Sequence, residues 1–229
     1  MELKITPKTP HTDHYQLEIL SAGDHGRKEA EQFIHDCYSR AYSANVTSFL
    51  PHIMSLRNGQ GRIDAALGYR KADSNKLFLE RYLTQSVEHY LQDLSGSEVK
   101  RADIIEVGNL ASASSGGNRL LIAALSGLLQ GQGNRWVVFT ATPALLNSFS
   151  RMGLHPYALS LASEEATAKQ SDDWGTYYQQ QPVVVAGKVT QAFSALQKKL
   201  RLSSVSSPYK WLNKHAYHMG LERAATGCQ

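Results

Sequence analysis

One segment, residues 103–142, constrains the fold more than any other part of this sequence. An apolar run, DIIEVGNLAS (103–112), leads through a loop of small residues into a long apolar stretch, NRLLIAALSGLLQGQG (118–133), and a β-branched run, RWVVFTAT (135–142), follows. Length and composition predict strand, helix and strand. Two strands joined by one crossover helix pair in parallel, so the chain is expected to contain a parallel βαβ unit.

The flanking segments add strands and helices in a definite order. YQLEIL (15–20) is predicted to be a strand, residues 27–44 an amphipathic helix, and 49–57 with 62–70 a hairpin around NGQG. The remaining predicted elements are a helix from about Ser86 to Gly96, a helix over 143–153, and strands over 154–160 and 182–190. The expected fold class is α/β (α+β), with a mixed sheet of about seven strands and helices on both faces.

The positive charge of the chain is concentrated at its carboxyl end. Residues 1–195 hold 18 Lys/Arg and 19 Asp/Glu, a net of −1, whereas residues 196–229 hold six Lys/Arg and one Asp/Glu, a net of +5. Nucleic-acid-binding domains usually carry a basic patch on the folded body, so no nucleic acid partner is expected. We predict one domain over 1–195 and a basic C-terminal extension over 196–229, with the Ser-rich stretch 202–208 between body and tail.

Several other classes of protein do not fit the sequence. The first thirty residues contain no secretory signal pattern, and the longest apolar block, 120–129, has about half the ~20 residues that cross a bilayer. A cytoplasmic protein is therefore expected, and its basic tail with Trp211 and Tyr217 would suit peripheral contact with the inner face of the membrane. A solvated, partly helical tail is the alternative. Cys37 and Cys228 are interpreted as free thiols, and the histidine spacing predicts no metal site.

The loop SSGGNR (114–119) opens the long apolar helix and has the character of an anion site. Exposed backbone N–H groups and the helix dipole favour a negative charge there, and small residues let a phosphate approach the backbone. The loop matches neither the dinucleotide-binding nor the P-loop motif. A glycine turn that only caps the helix is the alternative.

The order of elements around this loop resembles the GNAT acyltransferase superfamily. In that superfamily the fourth strand of a mostly antiparallel seven-stranded sheet is split by a bulge, and the following loop binds the pyrophosphate of coenzyme A. Gly108 lies where the bulge is expected. SFSRMGL (148–154) is similar to the family's helix ending after strand five, where a tyrosine commonly protonates the leaving thiolate; here Phe149 stands at that position.

A closer resemblance is to the thermostable hemolysin family of bacteria, named for a lytic phenotype. Five blocks occur in order over roughly residues 30–190: LFLERYL, IIEVGNLAS, WVVFTAT, GLHPYAL, and DWGTYY with PVVVAG. The resemblance implies a GNAT-like fold. FLERYL and EVGNLA are also similar to acyl-homoserine lactone synthases and N-acyl amino acid synthases, which take acyl chains from a carrier protein. The implied donor is acyl-CoA or the phosphopantetheine of an acyl carrier protein, with a small amine as acceptor.

Acyl transfer to an amine needs a base, oxyanion donors and an acid for the thiolate. Glu106 is the candidate base, because a carboxylate in an apolar strand is costly unless it is used or paired; a salt bridge with Arg81 is the alternative. One bulge residue at Gly108 would bring Asn109 to the side of Glu106, where it could orient the substrate. Either Tyr177 or Tyr178 could replace the usual tyrosine as the acid, and Tyr177 is taken as the candidate.

The remaining candidate residues fall into two groups. Those expected to contact the donor are Val107, Gly108, Leu110, Ala111, Gly116, Gly117, Asn118, Arg119 and Asn147. Those expected near the acceptor are Glu80, Arg81, Trp174 and Tyr178, for which ion pairing and core packing are the alternatives.

The leading hypothesis is a GNAT-like N-acyltransferase that transfers the acyl group directly from donor to amine. One alternative is a membrane-lytic protein, supported by the basic aromatic tail. The other is an acyl-CoA-binding module without turnover, motivated by Phe149.

Overall fold

A computed structural model of the protein describes residues 15–73, 76–167, 173–201 and 208–226. The strands are β1 (Tyr15–Leu20), β2 (His52–Asn58), β3 (Ile63–Lys71), β4 (Ile104–Ser112), β5 (Trp136–Ala141), β6 (Tyr157–Leu161) and β7 (Val183–Lys188). The helices are α1 (Arg27–Tyr42), α2 (Val87–Ser95), α3 (Ser115–Gly131), α4 (Pro143–Met152), α5 (Val189–Arg201) and α6 (Pro208–Ala225). Cys228 and the Ser-rich stretch 202–207 lie outside the described residues.

The strands form one sheet in the order β1-β2-β3-β4-β5-β7-β6. All neighbouring pairs are antiparallel except β4 and β5, which are parallel and joined by α3. The predicted parallel unit and the predicted fold class, a mostly antiparallel seven-stranded sheet with helices on both faces, are confirmed. The hairpin around NGQG and the helix over 27–44 also form as expected.

Alternation along the strands assigns the helices to two faces of the sheet. Ala65 and Leu67 of β3 belong to the core cluster that contains α3 and α6, whereas Ala66 between them packs with α1. In β4, Ile104 packs with α2 and Ile105 with α3. Helices α1 and α2 therefore cover one face, and α3 and α6 cover the other.

The bulge in β4 lies one residue later than predicted. Gly108 stays in register with Gly68, and two residues, Asn109 and Leu110, then oppose one residue of β3. Asn109 takes the left-handed conformation, with φ of 52°, which Asn tolerates better than most side chains. Glycine is needed at position 68 for a different reason: a Cβ there would lie 2.9 Å from the Leu50 Cβ.

Strands β4 and β5 separate just before the bulge. They pair only over residues 104–107 and 136–139, although β4 continues to Ser112 and β5 to Ala141. On its β5 side, the second half of β4 has no partner strand in the described structure. The backbone groups that point to that side are therefore available to a ligand.

The C-terminal helix α6 is part of the core, so the structure places no boundary after residue 195. That position falls inside α5, and Leu212 and Ala216 of α6 are fully buried against α3. The two helices cross closely because a Cβ on Gly127 or Gly131 of α3 would collide with the α6 backbone. The sequence predicted a separate basic extension because, along α6, exposed lysines alternate with the apolar residues that pack against the body of the protein.

Candidate active site

A cavity of about 550 Å³ lies where β4 and β5 separate. Its walls are mainly apolar and come from β5 and helices α3, α4 and α5, with Ile122, Leu125, Phe139, Leu145 and Ala192 among the lining residues. At its other end the cavity reaches Tyr38 and Tyr42 of α1 and Tyr177. It therefore passes between the diverging strands, from the face of α3 to the face of α1.

The unpaired edge of β4 forms one wall of the cavity. Val107, Gly108 and Leu110, which were expected to contact the donor, line the cavity, and so does Asn109, the candidate for orienting the substrate; Ala111 is buried against α1 and does not. Asn109 and Glu106 lie on one face of the sheet, but the Asn109 side chain is engaged locally. Its Oδ1 accepts the N–H of Leu50 at 3.2 Å and its Nδ2 donates to the Ser48 carbonyl at 3.3 Å.

Tyr177, the residue that was the candidate acid, lines the cavity together with Tyr38 and Tyr42. Its hydroxyl donates to Thr140 Oγ1 at 3.3 Å, and both residues line the cavity at the open end of β5. Burial raises the pKa of Tyr177 to about 12, so the phenol stays protonated at neutral pH. Phe149 also lines the cavity, packed edge-on against Phe139, and supplies no proton.

Glu106 is held by the protein itself. Its carboxylate accepts Arg70 Nε at 2.6 Å and the N–H groups of Phe78 and Leu79 at 3.2 and 2.8 Å, and its side chain is 3% exposed. It does not line the cavity. The salt bridge considered from the sequence is present, but its partner is Arg70; Arg81 instead donates to the Phe78 carbonyl.

Glu80, predicted to lie near the acceptor, anchors the start of α2. It accepts both terminal nitrogens of Arg101 at 2.8 and 2.9 Å and the N–H groups of Leu77 and Val87. Burial alone would raise the pKa of Glu80, but these hydrogen bonds outweigh it and lower the pKa to about 2. Glu80 is buried and takes no part in lining the cavity.

Trp174 and Tyr178 belong to an aromatic cluster beside the cavity rather than to its wall. Trp174 packs against Tyr38 and Tyr177, with ring centroids 6.1 and 5.6 Å apart. The Tyr178 hydroxyl shares a 2.6 Å hydrogen bond with Tyr82. Only one of the two adjacent tyrosines, Tyr177, therefore presents its hydroxyl to the cavity.

The start of α3 differs from the predicted phosphate cradle. Ser114 caps the helix, with its Oγ accepting the N–H of Gly117 at 3.0 Å. A Cβ on Gly117 would lie 2.7 Å from Ser112 Oγ and 2.9 Å from Asp64 Oδ2, so this glycine allows contact with β3. Asn118 lines the cavity, and its Oδ1 is buried with no hydrogen-bond partner among the described residues.

Besides Ala111, four of the predicted donor contacts do not line the cavity. Gly116, Gly117 and Arg119 precede or follow Asn118 on α3 without lining it. Asn147 is exposed on α4, where its neighbour Ser148 faces the cavity instead.

Tyr38, Tyr42, Thr140 and Leu145 line the cavity and were not identified from the sequence. Helical periodicity places Tyr38 on the apolar face of α1, but no local signal says that this face meets residues 177 and 140, more than 100 positions away. Proximity of that kind arises only when the sheet assembles.

The described part of α6 turns its apolar residues inward. Trp211 and Met219 pack against the core cluster of α3, and Tyr217 stacks on Phe193 with centroids 5.6 Å apart. The outward surface is mostly polar or charged, with Leu221, Ala224 and Ala225 as its exposed apolar residues. No described helix is both long and apolar enough to cross a membrane. The apolar contacts that suggested membrane binding are thus used inside the protein.

Comparisons with known proteins agree with this architecture. The family model described as Thermostable hemolysin matches residues 20–193, and no curated protein sequence matches significantly. FeeM, an N-acyl amino acid synthase from uncultured soil microbes, superposes with a TM-score of 0.57 at 14% identity, covering 85% of this chain and all of FeeM. BjaI, a CoA-dependent acyl-homoserine lactone synthase solved with SAM and isopentyl-CoA, gives 0.54 at 15% identity over 87% of this chain and 99% of BjaI.

A third similar structure is TofI in a ternary complex with an inhibitor and MTA. It gives a TM-score of 0.53 at 15% identity over 80% of this chain and 96% of TofI. At these identities the likeness establishes a common fold over nearly the whole of each relative.

Proposed function

The chain belongs to the thermostable hemolysin family, and we propose that it is an acyltransferase that moves an acyl group from a pantetheine thioester to an amine. One observation carries the proposal: an apolar cavity opens between β4 and β5 beside an unpaired strand edge and a protonated tyrosine. These are the parts that thioester aminolysis requires. The similar fold of FeeM, an N-acyl amino acid synthase, and of BjaI, an acyl-homoserine lactone synthase, supports this class of reaction by analogy.

The donor arm would lie along the free edge of β4. Pantetheine contains two amide groups, which can hydrogen-bond to an exposed strand edge as an added strand does. Gly108 and Leu110 present that edge, and Asn118 Oδ1 offers a buried acceptor without a partner in the described chain. The acyl chain would then occupy the apolar space between α3, α4 and β5.

The chemical step follows from this arrangement. The amine nitrogen attacks the thioester carbonyl carbon, and the negative charge that develops on oxygen is stabilised by N–H groups of the β4 edge. The C–S bond then breaks and the sulfur takes the proton of Tyr177, while the amine loses a proton to water. Solvent reprotonates the tyrosine, and the products are an amide and a free thiol.

The amine would enter as the neutral base. Among the described residues that line the cavity, none is Asp or Glu, and Glu106 is fully bonded to Arg70 and the backbone. This argues against the catalytic role considered for Glu106. Tyr177 stays protonated up to about pH 12, so its own titration does not limit the rate at neutral pH.

The test is turnover with defined substrates. Acyl-pantetheine thioesters of two to sixteen carbons are incubated with a panel of primary amines, thiol release is followed by colour, and amides are identified by mass spectrometry. The proposal requires stoichiometric thiol and amide with at least one pair. Absence of enzyme-dependent thiol release and of saturable thioester binding across the panel would refute it.

A matched pair of variants links turnover to the cavity. Ala192→Phe fills the space between α5 and α3, whereas Ser194→Phe adds the same ring at an exposed position of the same helix. We expect Ala192→Phe to exclude the longer acyl chains and Ser194→Phe to leave chain-length preference unchanged.

A further inference from the structure

Asp64 lies under the start of α3, where an anion would otherwise bind. It is the second residue of β3, and the turn from β4 to α3 wraps around it. Its backbone carbonyl accepts the N–H of Ala113 at 2.9 Å and the hydroxyl of Ser112 at 3.1 Å. Its Oδ2 accepts the hydroxyl of Ser114 at 3.3 Å.

This carboxylate opposes a pyrophosphate at the same place. The positive end of the helix dipole already faces the Asp64 charge, and the N–H of Gly117 is bonded to Ser114 Oγ. The close approach that Gly117 permits is an approach to Asp64 and Ser112, not to a ligand. Coenzyme A would bring a pyrophosphate and a 3′-phosphate towards a fixed negative charge, which repels them.

The surrounding helices have the opposite charge. Helices α3, α4 and α5 contain no Asp or Glu, and α6 contains only Glu222. Exposed basic side chains on these helices include Arg151, Lys198, Lys210 and Lys214. The Lys199 ammonium also donates to the Arg151 carbonyl and ties α5 to the end of α4. The exposed surface of α4, α5 and α6 is therefore largely positive, whereas the Asp64 carboxylate lies at the start of α3.

We infer that Asp64 selects against coenzyme A, and that the acyl-pantetheine is delivered by an acidic carrier protein that docks on the basic surface of α4, α5 and α6. A carrier protein brings one phosphodiester charge where coenzyme A brings a pyrophosphate and a 3′-phosphate. Its acidic surface would be attracted by lysines spread over several helices. The inference rests on the proposed function and names the donor for the same cavity.

The experiment compares one acyl group on three donors: an acidic acyl carrier protein, coenzyme A, and pantetheine without phosphate. We expect kcat/KM to be at least about tenfold higher with the carrier protein than with coenzyme A. Asp64→Asn, which keeps a hydrogen-bond acceptor for Ser114, should raise kcat/KM for coenzyme A about tenfold and leave that for pantetheine unchanged. If Asp64→Asn and the native protein have the same kcat/KM for the pantetheine donor, the active site of the variant is intact.

Charge reversal tests the docking surface. Lys198→Glu with Lys210→Glu should lower kcat/KM for the carrier protein by about tenfold at low salt and leave pantetheine turnover unchanged. The matched control is Lys28→Glu, an exposed lysine of α1 on the opposite face, which should change neither.

The outcomes separate the two proposals. If pantetheine turns over but coenzyme A serves as well as the carrier protein, or if Asp64→Asn leaves their ratio unchanged, the inference about Asp64 is wrong and the acyltransferase proposal stands. If none of the three donors yields an amide with any amine, the acyltransferase proposal fails, and the inference fails with it.

Discussion

At the scale of single residues, Tyr177 and Tyr178 show how position decides chemistry. The two phenols are adjacent in sequence, yet Tyr177 donates to Thr140 at the cavity wall and Tyr178 bonds to Tyr82 outside it. Burial keeps the Tyr177 phenol protonated at neutral pH, so it is available to donate its O–H to the sulfur as negative charge develops there. We therefore expect Tyr177 to take the role of the tyrosine whose usual position is occupied by Phe149.

Replacing each tyrosine by phenylalanine separates these roles. Tyr177→Phe should lower kcat by roughly 10²-fold, the usual scale of general acid catalysis, with KM for the donor little changed. Tyr178→Phe, the matched control, should keep kcat and lose only about 1 kcal/mol of stability with its hydrogen bond. Steady-state kinetics and thermal melts measure both, and equal kcat values for the two variants would remove Tyr177 from the mechanism.

Glu80 predicts a pH dependence of stability rather than of rate. The folded protein holds its pKa near 2, below the ordinary value of 4.5, because Arg101 and two backbone N–H groups bind the carboxylate. Glu80 therefore contributes stability above about pH 4.5, and this contribution is lost as the pH falls towards 2. As the pH falls over that range, the free energy of unfolding, measured with denaturant, should decrease more steeply for the native protein than for Glu80→Gln. Parallel pH curves would contradict the assignment.

At the scale of elements, the turn between β4 and α3 joins the sheet to the cavity wall. Gly117 makes this possible because its Cα packs on Ser112 and Asp64, while Gly116 has nothing closer than 3.9 Å to a Cβ position. The two adjacent glycines thus have different structural importance. A side chain at position 117 would collide with β3 and β4, whereas position 116 has space for one.

This difference is testable with one methyl group. Gly117→Ala should lower the free energy of unfolding by about 1–3 kcal/mol, because the methyl group collides with Asp64 and Ser112. Gly116→Ala should stay within about 1 kcal/mol of the native protein, since the methyl group enters open space in a helix. Urea unfolding measures both values, and equal effects would show that the helix start is not packed as described.

Most elements could be predicted from the sequence because their signals are local. Apolar alternation and β-branched runs identified the strands around residues 104–112 and 136–141, and glycines marked the ends of α2 and α4. The bulge was placed one residue early because glycine is common at bulges, whereas here Gly108 keeps register and Asn109 adopts positive φ. Backbone conformation at that point depends on β3, which a local pattern does not describe.

At the scale of the whole molecule, α6 completes the core. It crosses α3 at a glycine-lined contact, and Asn213 Nδ2 donates to the Ala123 carbonyl at 2.8 Å in the buried interface. Because α3 also forms a wall of the cavity, the C-terminal helix supports the site from behind. Without this packing, the Ala123 carbonyl and the Gly127 and Gly131 face of α3 would lose their contacts with α6.

Truncation after residue 207 tests this arrangement. Removing α6 should abolish the cooperative thermal transition or lower Tm by more than 10 °C, roughly the effect of several kcal/mol in a chain of this size. The control is Lys214→Ala, an exposed position of α6, which should melt like the native protein. A truncated chain with unchanged Tm would mean that α6 is an appendage.

The candidate site could be predicted only in part from the sequence, because several of its contacts join residues that are far apart along the chain. Residues 107–110 and Asn118 follow one another through a recognisable strand and loop, so they could be identified together. The Glu106–Arg70 pair is separated by 36 positions, and the contact of Tyr177 with Thr140 by 37. Such partners are set by strand order, and the carboxylate that looked catalytic in the sequence is held by a neighbouring strand.

The measurement that tests the central claim most directly is the location of a bound acyl chain. An acyl-pantetheine thioester with a diazirine at the end of its chain is irradiated with the full-length protein, and labelled residues are identified by mass spectrometry. We predict saturable labelling of cavity residues such as Ile122, Leu125 and Phe139, competed by unlabelled thioester. Labelling that is confined to the outer surface of α6, or that unlabelled thioester does not compete, would contradict an acyl-binding cavity between β4 and β5.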